Sequence, residues 1–303
     1  MWYADDASAC GKLVHIRQWF DLLLQRGPSF GYYPNPSKSS LVVDSASRAS
    51  AEQIFGPLGI RIVCDQRFLG GFLGNTDARN SYVLEKVHQW VLDIKNLSRM
   101  AISQPQAAYS ALVKSLQHEW IYLQRVVPDC CTLFVELEKT LLTSFLPGMF
   151  GCEISSLEQR LFSLPVRLGG LGLDLPTVSA NSLYAASRHA TEVIVSAITV
   201  ATPFEISVHD DLVFVAQRHY QKQLDAMQEA LFSEVCLGLD PIHLRAVKRA
   251  RANDLSVWLS VMPIEKNNCD LTAQEFRDAL AVRYKKPLLC IPPHCDGCGA
   301  PSS

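Results

Sequence analysis

From Asp77 onward apolar side chains recur every three to four residues for long stretches, whereas the first 76 residues carry shorter patterns broken by glycine and proline. That change of period constrains the fold most, because a stripe at 3.6-residue spacing is buried by a helix and a short β-branched or alternating run by a strand. Val83, Val87, Trp90, Val91, Ile94 and Leu97 make one stripe, with Lys86 and Lys95 off it. Pro105 opens a second helix at a favoured first-turn position, with Leu112, Leu116, Trp120 and Leu123 on one face until Pro128. Leu133, Leu137, Leu141 and Phe145 predict a third from about Thr132 to Phe145, ended by Pro147-Gly148. Three consecutive amphipathic helices make a small bundle. His209 to Cys236 reads as a long, mostly polar helix burying Leu212, Val215, Tyr220, Leu224, Met227 and Leu231.

Upstream of Asp77, Leu13, Ile16, Trp19, Phe20, Leu23 and Leu24 predict a helix that stops before Gly27-Pro28. Tyr32-Tyr33-Pro34-Asn35-Pro36 is a turn, Leu41-Val42-Val43 and Ile60-Arg61-Ile62-Val63 are strands, and Phe68 to Gly74 is expected as a third strand with glycines where backbones approach. The fold class is therefore α+β. Hydrophobic residues at 48% against 19% charged exclude a disordered chain. A net charge of -2 excludes a uniformly basic nucleic-acid-binding domain but not a locally charged groove. Ten cysteines are too dilute for a disulfide scaffold of this length and point to reduced thiols in an intracellular setting. The longest apolar stretch, Val193 to Phe204, is interrupted by Ser196, Thr199 and Thr202 and is too short to span a bilayer, so no membrane partner is expected.

The chemistry-bearing feature is Tyr3-Ala4-Asp5-Asp6. Two adjacent carboxylates after an aromatic residue suit a tight turn between strands, where both can project the same way. Such a pair offers hard oxygen ligands for Mg²⁺ or Mn²⁺, and substrate phosphates can supply the ligands it lacks. Aromatic and acidic residues at once, with no leader ahead of them, lead to the expectation that the chain is an interior piece of a larger protein.

Tyr3-Ala4-Asp5-Asp6, then a helix, then Asn35-Pro36-Ser37-Lys38 before a strand, then Phe68-Leu69-Gly70-Gly71, resembles in order the later palm motifs of non-LTR (LINE-like) retrotransposon reverse transcriptases. Leu164-Pro165-Val166-Arg167-Leu168-Gly169-Gly170-Leu171-Gly172-Leu173, Trp258 to Pro263, Phe276 to Leu280 and Cys295-Asp296-Gly297-Cys298-Gly299 are similar to segments downstream in that family. The resemblance covers most of the chain, thinly between about 190 and 250. It implies a truncated palm sheet over residues 1–76, a helical thumb over 77–150, a mainly helical extension over 151–262, and a segment over 263–303 with an incomplete Cys-rich knuckle.

Function follows from the resemblance as an expectation: part of an RNA-directed DNA polymerase that uses Mg²⁺ (or Mn²⁺) for two-metal nucleotidyl transfer. RNA template, DNA primer and deoxynucleoside triphosphates would be its partners, and the family's way of life implies nuclear action. Asp5 would be the principal metal ligand, Asp6 the accessory one, and Tyr3 would pack beneath the growing end. Lys38 matches a lysine that assists the departing phosphate, or is a surface lysine after a turn. Phe68, Leu69 and Gly70 match a hairpin gripping the primer, or are plain core and turn residues. The family's third palm carboxylate and its fingers are not among these residues, so the chain alone is expected not to polymerise. The alternative is a noncatalytic nucleic-acid or protein interaction remnant of such an element.

Three further clusters carry expectations. Gly169-Gly170-Leu171-Gly172 lacks the Lys-Ser/Thr of a phosphate loop and is read as close backbone packing. Arg245, Lys248, Arg249 and Arg251 either meet nucleic-acid phosphates or pair with the acidic helix bearing Asp210, Asp211, Asp225, Glu229 and Glu234. Cys295 and Cys298, spaced to present two thiolates to one metal, are half of a Zn²⁺ site that Cys290 or His294 would help to complete. Zinc retained after mild chelation is the measurement that decides for that site.

Overall fold

Helices dominate the described residues, among which the strands are all short and lie before residue 74. The computed structural model describes residues 2–3, 6–200, 203–251, 256–288, 294 and 297–298, with backbone alone at 2, 3 and 6. Two units divide within one helix, at Met1–Tyr82 and Val83–Ser303. The segment expected as thumb, residues 77–150, straddles that division, while those expected as extension and C-terminal region lie in the second unit.

In the first unit, β1 (Trp2–Tyr3) pairs antiparallel with β2 (Asp6–Ala7), and α1 (Leu13–Arg26) follows. Next, β3 (Ser40–Val42), α2 (Arg48–Phe55) and β4 (Arg61–Val63) form a strand–helix–strand unit with its strands parallel. A parallel pair needs a crossover, and α2 supplies it. Ser47 donates its backbone N–H to the Asp44 carboxylate at 2.7 Å, shaping the turn into α2. Phe20, Leu41, Ala51, Phe55 and Ile60 form the core, packed by Trp19, Ile54 and Ile62.

Two expectations are corrected in this unit. The run Phe68 to Gly74 is not one strand but the hairpin β5 (Gln66–Phe68) and β6 (Gly71–Leu73), reversed at Leu69 and Gly70 with φ of 47° and 78°. Positive φ at both central residues is the two-residue connection whose twist matches the flanking strands. The strands also form no single palm sheet. Among the described residues they make three separate two-stranded sheets.

In the second unit, α3 (Thr76–Ser103) buries Val83, Val87, Trp90, Val91 and Ile94, as the stripe predicts. A helical run from Pro105 to Val126 comprises α4 (Pro105–Ala111), a wide turn at Leu112–Leu116 and α5 (Gln117–Val126). The wide turn shifts the buried face, so Gln117 turns inward while Leu116 is half-buried. A second such turn, Leu141–Phe145, separates α6 (Val135–Thr140) from α7 (Leu146–Phe150). Pro147-Gly148 therefore does not end the helix. Pro147 sits in the first turn of α7, where its missing N–H is tolerated, and Gly151 at φ 75° ends the run.

After α8 (Ser156–Ser163), α9 (Pro176–Ala190) packs against α5, and α10 (Glu192–Val200), α11 (Ile206–Gly238), α12 (Pro241–Arg251) and α13 (Ala273–Tyr284) follow. In α11 the buried residues are Ala216, Phe232 and Val235, while Val215 and Met227 are exposed, against expectation. Ala216 turns inward toward α9, which leaves its larger neighbour Val215 outside.

The glycine-rich segment after α8 is the packing element it was expected to be. A Cβ on Gly170 would lie 1.9 Å from the Leu164 carbonyl oxygen, and Gly169 and Gly172 have φ of 88° and 67°. The segment folds back so that Leu171 and Leu173 both donate N–H to the Phe162 carbonyl, at 3.0 and 3.2 Å. Gly170→Ala should therefore destabilise the protein by more than about 4 kcal/mol. Gly172→Ala, whose Cβ meets nothing within 4 Å, should cost only about 1–2 kcal/mol for its left-handed backbone. Urea denaturation of the two variants checks this, and equal losses would contradict it.

Candidate functional site

Near the start of the chain, β1 and β2 are two residues each. Tyr3 lies opposite Asp6 in the β1–β2 pairing, so residues 4 and 5 are all that separates the two strands. Asp5 itself lies outside the described residues, and only the backbone of Tyr3 and Asp6 is described.

Lys38 ends a short 3₁₀ turn, Pro36–Lys38, just ahead of β3. The side chain of Asn35 holds that turn by accepting the backbone N–H of Ser37 at 3.0 Å and its hydroxyl at 2.7 Å. Lys38 is exposed and makes no ion pair among the described residues. At the β5–β6 hairpin, Phe68 and Leu69 are 40% and 48% exposed. Tyr82 steadies this tip by donating its hydroxyl to the Gly70 carbonyl at 3.0 Å and stacking on Phe72 with ring centroids 5.2 Å apart. The hairpin thus presents apolar side chains outward on a stiff reverse turn.

The basic run lies on α12, whose inner face is Ala246, Val247 and Ala250. Arg245, Lys248 and Arg249 share the outer face at spacings of three and four residues and make no ion pair among the described residues. Arg251 differs. It holds Glu229 of α11 through two bonds of 3.1 and 3.0 Å and lies 4.8 Å over the Phe232 ring. Asp225 and Glu234 are likewise taken, by Arg167 at 2.7 Å and Arg160 at 2.5 Å. Part of the acidic helix is therefore neutralised within the unit, but not by the outer face of α12.

Cys290 and Cys295 lie outside the described residues, and His294 and Cys298 are exposed. No group of three His, Cys, Asp or Glu side chains able to hold a metal occurs among the described residues. No helix among them is long and apolar enough to cross a membrane.

A buried polar group went unread in the sequence. The Trp120 indole donates to the Asp174 carboxylate at 3.0 Å, and the Asp174 backbone N–H donates to Gln117 at 3.3 Å. Burial pushes the Asp174 carboxyl up, hydrogen bonds from Ser179, Trp120 and Gln124 pull it back, and the nearby Glu138 charge adds to the push. Arg277 is a second such group: it donates to the carbonyls of Ala101 at 2.9 Å, Ile102 at 2.6 Å, Gly148 at 3.1 Å and Met149 at 3.3 Å. It joins the end of α3 to α7 and is occupied as a staple. Asp174 follows a Gly-Leu pair and Arg277 sits mid-helix, so neither stands out by spacing.

No family model matches the chain, and no curated protein or solved structure does.

The Asp174 environment has a consequence for pH. A carboxyl whose folded-state value is raised binds protons more readily folded than unfolded, so its contribution to stability falls as pH rises from the ordinary carboxylate range through the raised value. Asp174→Asn keeps an oxygen for the Trp120 indole and removes the charge. Urea midpoints across an acid-to-neutral series should fall less with rising pH in the variant, which should be the more stable protein above that window. An unchanged slope would contradict it.

Proposed function

We propose that the chain is part of the RNA-directed DNA polymerase of a LINE-like retrotransposon. The observation that supports this reading best is the β1–β2 register. In that register Tyr3 lies opposite Asp6, and the adjacent carboxylates of Asp5 and Asp6 are the donors this reading assigns to one cation.

The donor set is hard oxygen and suits Mg²⁺ or Mn²⁺, with phosphates of the nucleotide completing the ligand shell. The metal, when bound, supplies activation of the primer hydroxyl and charge neutralisation on the departing pyrophosphate. The chain's own residues bind and orient. Tyr3 supports the growing end, Lys38 lends a cation to the phosphates, and Phe68, Leu69 and Gly70 hold the primer strand at the hairpin tip. Arg245, Lys248 and Arg249 meet phosphates of the template–primer duplex, whose charge they neutralise without reading sequence.

Fluorescence anisotropy with an RNA–DNA duplex over a salt series tests this reading. Binding should weaken steeply with salt, and replacing Arg245, Lys248 and Arg249 together by Gln should reduce the slope of log K against log salt by about two to three. Arg251→Gln should leave the slope unchanged, because its guanidinium already serves Glu229. Absence of duplex binding, or a slope insensitive to the triple substitution, would overturn the role given to α12.

A further inference from the structure

The first half of α11 carries an outward face that nothing in the described chain covers. Val208, Phe214 and Val215 are 48%, 54% and 55% exposed. The segment leading into it is also bare. α10 has no buried residue, and Val195, Ile198 and Val200 on it, then Phe204 and Ile206, are exposed. Scattered exposed apolar residues need no explanation, but such a concentration on one helical hairpin marks a contact surface.

The charges around this surface say what covers it. Asp211, Val215, Arg218 and Lys222 follow one another at four-, three- and four-residue spacing along the outer face of α11. Asp210 and Asp211 lie before the apolar centre and Arg218 and Lys222 after it. None of these four makes an ion pair among the described residues. Asp211 and Lys222 stand about three turns apart, too far to pair on the same helix. Arg218 lies over the Phe214 ring at 4.5 Å, extending the apolar centre toward the basic end. A face that is acidic at one end, apolar in the middle and basic at the other complements itself when turned end over end. That is the pattern a two-fold contact requires, since each residue meets its counterpart's opposite.

We propose that two copies of this chain associate through the first half of α11, antiparallel about a two-fold axis midway between Val215 and Arg218, level with Ala216 and Gln217. Asp211 of each copy then faces Lys222 of the other, and Val215 packs under the aliphatic stem of Arg218. A nucleic acid is disfavoured here by Asp210 and Asp211, and an anionic membrane surface by the same pair.

Sedimentation equilibrium of the full chain at low salt, over a concentration series, tests the proposal. A reversible monomer–dimer equilibrium is expected. D210K/D211K and R218E/K222E should each raise the dissociation constant by about tenfold or more, because symmetric exposed pairs turn from attraction to repulsion twice over. The variant carrying all four reversals should regain dimerisation to within about threefold of the original. Far-UV circular dichroism of each variant checks that the helix is retained. A monomer at every concentration, a dimer indifferent to both double reversals, a fourfold variant that stays monomeric, or binding of the monomer to phosphatidylcholine vesicles through this hairpin would each overturn the proposal.

Discussion

The backbone contact between Gly170 and Leu164 is the constraint on which the second unit depends. Because Gly170 has no side chain, residues 169–173 can double back against the end of α8, and the turn brings a row of carbonyl groups into the middle of the helices. Those carbonyls are then claimed from several directions. Tyr109 on α4 donates to Leu171 at 2.8 Å, Gln117 on α5 to Gly172 at 3.3 Å, and Tyr284 on α13 to Gly169 at 3.0 Å. Burial pushes both phenols up, which keeps them protonated as donors at any pH the protein meets. A loop without these partners would leave buried backbone groups unsatisfied, at a cost comparable to the hydrogen bonds themselves.

The same segment sets where the basic helix sits. A Cβ on Gly169 would come within 3.3 Å of the Val247 carbonyl oxygen, so α12 rests directly on the glycine backbone. With Ala246, Val247 and Ala250 turned to that contact, Arg245, Lys248 and Arg249 have no direction left but outward. Their exposure is a consequence of packing rather than of local charge repulsion. In the first unit a different constraint operates, since two- and three-residue strands offer few ladder bonds and side-chain anchors complete them. Tyr82 at the β5–β6 hairpin and Asn35 at the turn bearing Lys38 are those anchors.

What the sequence made legible was governed by periodicity. Phe20 on α1 and the stripe of α3 lie where spacing alone puts them, and the glycine run is the packing device its missing Lys-Ser/Thr implied. The wide turns at Leu112–Leu116 and Leu141–Phe145 were not legible, because each inserts a residue's worth of rotation without changing composition. For the same reason Pro147-Gly148 read as a stop. The crossover helix α2 is eight residues long, too short for a stripe, and shows only Ala51 and Phe55 inward. The Leu69-Gly70 turn hid behind a leucine at a position that usually takes Asn or Gly. Of the candidate site, residue types were readable and partnerships were not: nothing in the run Arg245 to Arg251 distinguishes the paired Arg251 from its three free-facing neighbours.

The proposed function turns on Asp5 and Asp6 as ligands of a divalent cation whose shell substrate phosphates complete. Electron paramagnetic resonance of Mn²⁺ titrated into the full chain, with an RNA–DNA primer–template and a matched deoxynucleoside triphosphate present, tests it most directly. The account predicts protein-dependent Mn²⁺ binding in that mixture, weakened about tenfold or more by Asp5→Asn and less by Asp6→Asn, with the fold unchanged by circular dichroism. Mn²⁺ occupancy that is the same with and without the protein, or indifferent to both substitutions, would contradict it.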